Sequence, residues 1–175
     1  MVNIIVEKAL ISDAAEILAL LKSVGGQSDN LSFGPEGLGC SVADEEAYIA
    51  SLENSDDGII LVARVDGRIV GDATLNRYPR RMRHRGEFGV SVLQQYWGCG
   101  VGSALTAGIV AYARKHHFDI IDLQVRSDNA RAIRLYEKFG FRKLCTYPSF
   151  MKYQNSHIAC DWMMLNLFDT SMKQK

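Results

Sequence analysis

The run from Glu87 to Leu105, EFGVSVLQQYWGCGVGSAL, constrains this chain more than any other stretch. It reads as a short apolar strand, a glycine-rich turn and a helix start in immediate succession. Gly98, Gly100 and Gly102 lack Cβ, so the backbone can turn tightly and aim consecutive N–H groups at one ligand, with the positive end of a helix dipole behind them. A pyrophosphate suits such a turn. Two phosphate-binding patterns fail on the residues present. A mononucleotide loop needs Lys and then Ser or Thr after its last glycine, and Gly102 is followed by Ser103 and Ala104. A dinucleotide fingerprint needs Gly or Ala three residues after its second glycine, and that position is Ser103.

Composition sets the bounds. With 175 residues, 47% of them hydrophobic, the chain can bury a substantial core and is too short for two ordinary domains. A formal net charge of zero argues against nucleic acid or a membrane surface as a partner held by overall charge. Cys40, Cys99, Cys145 and Cys160 are irregularly spaced with no C-x-x-C pair, so neither a metal site nor a disulfide framework is expected, and a cytoplasmic location is. Val2 to Leu10 is interrupted by Asn3, Glu7 and Lys8, unlike a leader, and no run reaches the length of a membrane span.

The pattern predicts a strand at Asn3–Ala9, then a helix capped by Ser12, with Ile17, Leu20, Leu21 and Val24 inward and Gly25-Gly26 at its end. A long loop over 25–43 leads to a helix over Asp44–Asn54. Strands at Ile59–Val65 and Arg68–Tyr78 are joined by Asp66-Gly67, a hairpin signal. A strand at Glu87–Val92 enters the glycine turn, a helix spans Val101–His117, and a buried strand covers Ile120–Val125. A further helix ends at Gly140, and strands at Arg142–Tyr147 and His157–Leu167 close an α/β mixed sheet.

Within the glycine segment, Gln95-Tyr96-Trp97-Gly98-Cys99-Gly100 spells Q-x-x-G-x-G, which resembles the acetyl-CoA loop of the GNAT superfamily of N-acetyltransferases. Downstream, the segment from Asn129 to Phe141 resembles that family's other signature, N-x-x-A-x-x-L-Y-x-x-x-G-F. With a strand before each motif and after the second, the resemblance covers most of the chain from about Ile59 to Phe168. The resemblance implies a GNAT (acyl-CoA N-acyltransferase) fold: a mixed central sheet of about seven strands flanked by about four helices. It makes 1–175 a single N-acetyltransferase domain with an ordered core of about 3–168.

The resemblance also implies acetyl transfer from acetyl-CoA to a primary amine, by direct attack in a ternary complex and without a metal. A lysine-like amine, with pKa ~10, is nearly all ammonium at neutral pH, so a base must take its proton. The oxyanion needs N–H donors and the thiolate a proton donor. By resemblance, Tyr136 is the acid, and Glu87 is the candidate base, with His84 in reserve. Val90, Ser91 and Val92 would line the pantetheine arm, with a bulge at Gly89. Gln95, Gly98, Cys99, Gly100, Val101, Gly102 and Ser103 would hold the pyrophosphate, and Asn129 would contact CoA or simply cap its helix.

Trp97 and Cys99 depart from the family, where Lys or Arg often stands. Arg131 or Arg134 could supply the missing charge. Arg77, Arg80, Arg81, Arg83 and Arg85 crowd one hairpin, which with the 25–43 loop is expected to flank the acceptor mouth and favour an anionic acceptor. The alternative is a solvated tip. A homodimer is compatible with the resemblance. A CoA-binding sensor without catalysis and a nucleotide-dependent oxidoreductase are the rival readings.

Overall fold

The protein, described by a computed structural model, is characterised here over residues 3–168, so the outermost residues of the expected 1–175 domain lie outside the described part. Strands β1 (Ile5–Lys8), β2 (Gly58–Val65), β3 (Arg68–Arg77), β4 (Arg85–Val92), β5 (Ile120–Arg126), β6 (Arg142–Tyr153) and β7 (Ser156–Asn166) form one sheet. Its order is β1-β2-β3-β4-β5-β7-β6, and only β4 and β5 run parallel. Helices α1 (Ala14–Gln27), α2 (Val42–Glu53), α3 (Val101–Lys115) and α4 (Ala130–Lys138) complete the seven-strand, four-helix layout that the sequence implied.

Alternation along the strands divides the core. Leu61, Ala63, Leu75, Phe88, Ile121, Leu123 and Met163 face α3 and α4, where Val101, Leu105, Ile109 and Tyr136 meet them. Ile60 and Val62 face the other way and pack with Ile17, Leu20, Leu21 and Val24 of α1 and Ile49 and Leu52 of α2. The Asp66-Gly67 turn holds both residues at positive φ, +50° and +78°, the geometry of a tight two-residue hairpin.

Four local expectations are corrected. Asp13, not Ser12, stands at the start of α1, after a 3₁₀ turn over Ile11–Asp13; its carboxylate accepts from the Leu10 N–H and from Arg64. Gly25-Gly26 do not end that helix, which runs on to Gln27. Gly25 is needed because the Gly34 carbonyl packs against it, and an added Cβ would lie 2.0 Å from that oxygen. No bulge lies at Gly89, since β4 pairs with β3 in unbroken register from Gly86 to Val92. The irregularity falls one strand away, where Val70 of β3 is left over between the Ala63–Gly71 and Arg64–Ile69 pairs. At the chain's far end β6 also exceeds its expected length, continuing through irregular pairing to Tyr153.

Candidate active site

The opening in this sheet lies between its two parallel strands. β4 pairs with β5 only at Arg85, Gly86 and Glu87, and from Phe88 onward the two strands part. The Tyr78 N–H bonds the Arg85 carbonyl and the Leu93 N–H bonds the Val70 carbonyl, so odd-numbered residues of β4 spend their backbone groups on β3. Val90 and Val92 therefore turn N–H and C=O into the gap, and Phe88 turns only its C=O there, because its N–H closes the last β4–β5 pair on the Asp122 carbonyl. Ser91 does not; its backbone is spent on β3, and its side chain stands on the face opposite α3.

At the end of β4 the chain makes a 3₁₀ turn over Gln94–Tyr96 and reaches the glycine segment. Gly98 and Gly100 adopt φ of +81° and +94°. An ideal Cβ at Gly98 would have no neighbour within 4 Å, and one at Gly100 would find only Ile4 at 3.8 Å. These glycines are thus required by backbone conformation and leave open space beside the turn. The N–H groups of Val101, Gly102 and Ser103, in the first turn of α3, have no helical acceptor. The Cys99 N–H is spent on the Tyr96 carbonyl. Gln95 is exposed at the rim.

Two side chains reinforce this end. Trp97 Nε1 donates to the Val92 carbonyl at 2.9 Å, closing one of the groups that face the gap. The Arg131 guanidinium lies 4.3 Å from the centroid of the Trp97 ring, which brings a cation from α4 to a turn that has none of its own. Asn129 caps α4 through its side-chain oxygen, which accepts the Ala132 N–H.

Tyr136 lies behind the gap, 7% exposed, with its ring edge-on to Phe88 at 5.9 Å and 5.8 Å from Phe141. Burial pushes its phenol well above the ordinary tyrosine range, so the hydroxyl keeps its proton at neutral pH. Glu87 is exposed on the opposite face of β4, at the last residue before the strands part. Tyr136 and Glu87 are thus held on the two sides of one strand. His84 is exposed at the start of β4, where its carbonyl accepts from the N–H groups of Asp119 and Ile120.

The arginines are largely committed. Arg85 grips the fully buried Asp122 through Nε at 3.1 Å and a terminal nitrogen at 2.6 Å, and the Tyr78 hydroxyl joins at 2.9 Å. Arg77 lies over Phe118 and donates to the carbonyls of Asp56, Arg83 and His116, and Arg83 pairs with Asp57. Arg80 and Arg81 stay exposed. Nor does this hairpin share an end with the 25–43 loop: Gln27 accepts from the Gln94 N–H and the Asp29 carbonyl accepts from Arg126, which places the loop at the glycine end. A cleft of about 620 Å³ lies there, between the loop at Leu31–Glu36 and the β6–β7 hairpin at Met151–Tyr153. Sequence reasoning missed the Arg85–Asp122 pair, since nothing in IIDLQV marks Asp122 as buried. Arg85→Met should leave that carboxylate unpaired and lower stability by about 3 kcal/mol in urea denaturation, as expected for breaking a buried pair.

The family model for acetyltransferase (GNAT) matches residues 30–141. The chain belongs to the GNAT acetyltransferase family. A curated relative, the L-amino acid N-acetyltransferase of Escherichia coli, is 39% identical over 83 residues, which span 46% of this chain and 51%, about half, of that protein's length. The structure of a GNAT-family acetyltransferase from Streptococcus pneumoniae matches with a TM-score of 0.91 and 26% identity, covering 95% of this chain and 100% of the other. The fold is shared too with a GNAT superfamily phosphinothricin acetyltransferase from Sinorhizobium meliloti, solved with acetyl-CoA, at a TM-score of 0.84 and 16% identity over 98% of this chain and 93% of that one. In this GNAT chain the free strand groups, the glycine turn and Arg131 form one continuous path along β4, and they suit a ligand with an amide-bearing arm and a diphosphate.

The opposite, α1–α2, face of the same strands has its own chemistry. It presents Thr74 and Asn76 of β3, Glu87, Gly89 and Ser91 of β4, and Gln124 of β5 beside Trp162 of β7. Two buried polar atoms there have no hydrogen-bond partner among the described residues, Asp72 Oδ1 and Trp162 Nε1, one an acceptor and the other a donor. No sequence signal distinguished either residue.

Proposed function

We propose that this chain transfers the acetyl group of acetyl-CoA to a primary amine of a small molecule or peptide, by direct attack within a ternary complex. The observation that carries the reading is the parting of β4 from β5 after Glu87, which turns the Phe88 carbonyl and the N–H and C=O groups of Val90 into a gap that leads to the glycine turn. The pantetheine amides would pair with Val90 and the Val92 N–H. The pyrophosphate would take the N–H groups of Val101, Gly102 and Ser103 and the charge of Arg131. Acetyl-CoA supplies an activated thioester carbonyl, whose developing oxyanion a backbone N–H in the gap would receive.

Attack requires a neutral amine. Glu87, exposed on the acceptor face, takes the proton of the incoming ammonium, and Tyr136 donates to the departing thiolate from the other side. Glu87→Gln should lose most activity near neutral pH and recover in part at high pH, where more amine is already neutral. A pH–rate profile identical to the wild type removes Glu87 from that role. No step calls on a metal, since each is a proton transfer or a hydrogen bond from the chain's own groups.

The acceptor class is best tested by release of free CoA thiol across L-amino acids, peptides with a free α-amine, polyamines and aminoglycosides, with L-amino acids first because of the Escherichia coli relative. Selection of an anionic acceptor would fall to Arg80 and Arg81, the two arginines of the hairpin without a partner among the described residues. CoA binding without turnover of any amine would favour a sensor. Four free thiols suit a reducing cytoplasm. The exposed apolar side chains of edge strand β6, Leu144, Tyr147, Phe150 and Tyr153, suit a second copy of the chain, and sedimentation analysis would separate dimer from monomer.

A further inference from the structure

Resting on the acetyl-transfer reading, we infer that Asp72, reached through the Ser91 hydroxyl, accepts the second proton that the amine must lose, with Glu45 as its partner carboxyl. The balance of the reaction calls for two acceptors. An ammonium loses one proton before attack and a second after the N–C bond forms, while the C–S bond breaks and the sulfur gains one proton. The net products are amide, free CoA thiol and one released proton. Glu87, open to water, suits the first departure. The second leaves a nitrogen already bonded to the acetyl carbon, beside the strand whose N–H groups face the gap.

Asp72 stands at that strand. It pairs across β3–β4 with Ser91, the neighbour of Val90 and Val92, on the face opposite Tyr136. The Ser91 side chain lies beside the Asp72 carboxyl on the same face, yet Asp72 is only 5% exposed and its Oδ1 has no hydrogen-bond partner among the described residues. Glu45, also 5% exposed, lies in the first turn of α2, and its charge acts on Asp72. One turn later the Tyr48 hydroxyl donates to Asn76, which ties this face of α2 to β3. Two buried carboxyls without a cation are costly unless they share a proton.

The surroundings of Asp72 add no rescue. β2 offers Val62, and α1 contributes Leu20, Leu21 and Val24 to the same core. Glu16 of α1 is turned away, to the Ile69 N–H and Arg64. Glu87 lies four residues along β4, and Glu45 is the charge that acts on Asp72. Burial first, and then Glu45, push the Asp72 carboxyl up to about 7 against the opposing influence of Ser91. A proton acceptor in that range is matched to work at neutral pH. In the proposed step the nitrogen gives its proton to Ser91 Oγ as the Ser91 hydroxyl proton passes to Asp72.

The test uses the most active amine from the acceptor panel, under conditions where chemistry limits turnover. Asp72→Asn keeps the shape and should lower kcat by about a hundredfold or more, within the range for acid–base catalysis, and abolish the limb of the pH–rate profile near neutrality. Glu45→Gln should move that limb to lower pH, because Asp72 then yields its proton more readily. Carbon-13 NMR titration of the aspartate carboxyls reads the same change without any acceptor: the carbon that titrates near neutrality should vanish in Asp72→Asn and shift down in Glu45→Gln. Folding is checked by melting. The folded protein holds the Asp72 proton more tightly than the unfolded chain, so this group lowers stability as pH rises from about 4 to about 7, and above that range Asp72→Asn should melt no lower than the wild type. A pH limb unmoved in both variants overturns the inference while acetyl transfer stands. Absence of thiol release from the wild type with every amine overturns the transfer reading, and this inference with it.

Discussion

Tyr136→Phe should fold normally, bind acetyl-CoA as the wild type does, and turn over about a hundredfold more slowly, toward the lower end of general acid catalysis. The ring is the larger part of this residue's structural work, since it packs on Phe88 and Phe141, and phenylalanine keeps that packing. What is lost is the donor. Because burial lifts the phenol above its ordinary range, complete transfer to a thiolate of ordinary basicity is uphill. The hydroxyl therefore assists mainly by hydrogen-bonding the sulfur as the bond breaks, which keeps the expected loss moderate. Single-turnover kinetics separates this effect from product release, and full activity under chemistry-limited conditions would return Tyr136 to a packing role.

A second large effect is expected at the glycine turn. Gly100→Val forces a β-branched side chain into a φ of +94°, a region such residues avoid at a cost of roughly 1–3 kcal/mol. Protein atoms leave room there, so the new side chain would fill the space proposed for the pyrophosphate rather than collide with the core. Calorimetry should show acetyl-CoA affinity reduced by at least about a hundredfold, or about 2.7 kcal/mol, in a protein that still folds. Unchanged affinity in a folded variant would remove the turn from the binding path. Arg131→Gln should have a smaller effect that fades as salt is added, since it removes one exposed charge.

Local signals that the sequence carries in a few neighbouring residues were legible: the Asp66-Gly67 hairpin, the glycine turn, and the helix closed by Gly140. So was the inward face of the first helix, Ile17, Leu20, Leu21 and Val24, together with the placement of Glu87 on a strand and Tyr136 on a later helix. What escaped depends on residues far apart in the chain. Gly25 reads as a helix stop until Gly34 is seen against it. Gly89 reads as a bulge, whereas the parting of β4 from β5 is set by where β5 stops pairing. The arginine-rich hairpin reads as an anion trap, but Asp57 and Asp122 lie remote in sequence and take two of its charges. Asp72 and Glu45 have ordinary neighbours in sequence, and only the fold that buries both makes them unusual.

The parting of β4 and β5 gives the sheet an internal edge. An edge with free amides and carbonyls is a template for any extended backbone, and most proteins blunt theirs. Here the indole of Trp97 blunts one carbonyl, that of Val92, and leaves the Phe88 carbonyl and both backbone groups of Val90 open. A pantetheine arm laid along them would act as a missing strand, so that the cosubstrate completes the sheet of the enzyme that uses it. Amide hydrogen exchange should then report occupancy directly: Val90 and Val92 exchange fast in the free protein and slow when CoA is added, while Glu87, Phe88, Gly89 and Ser91, already paired within the sheet, change little.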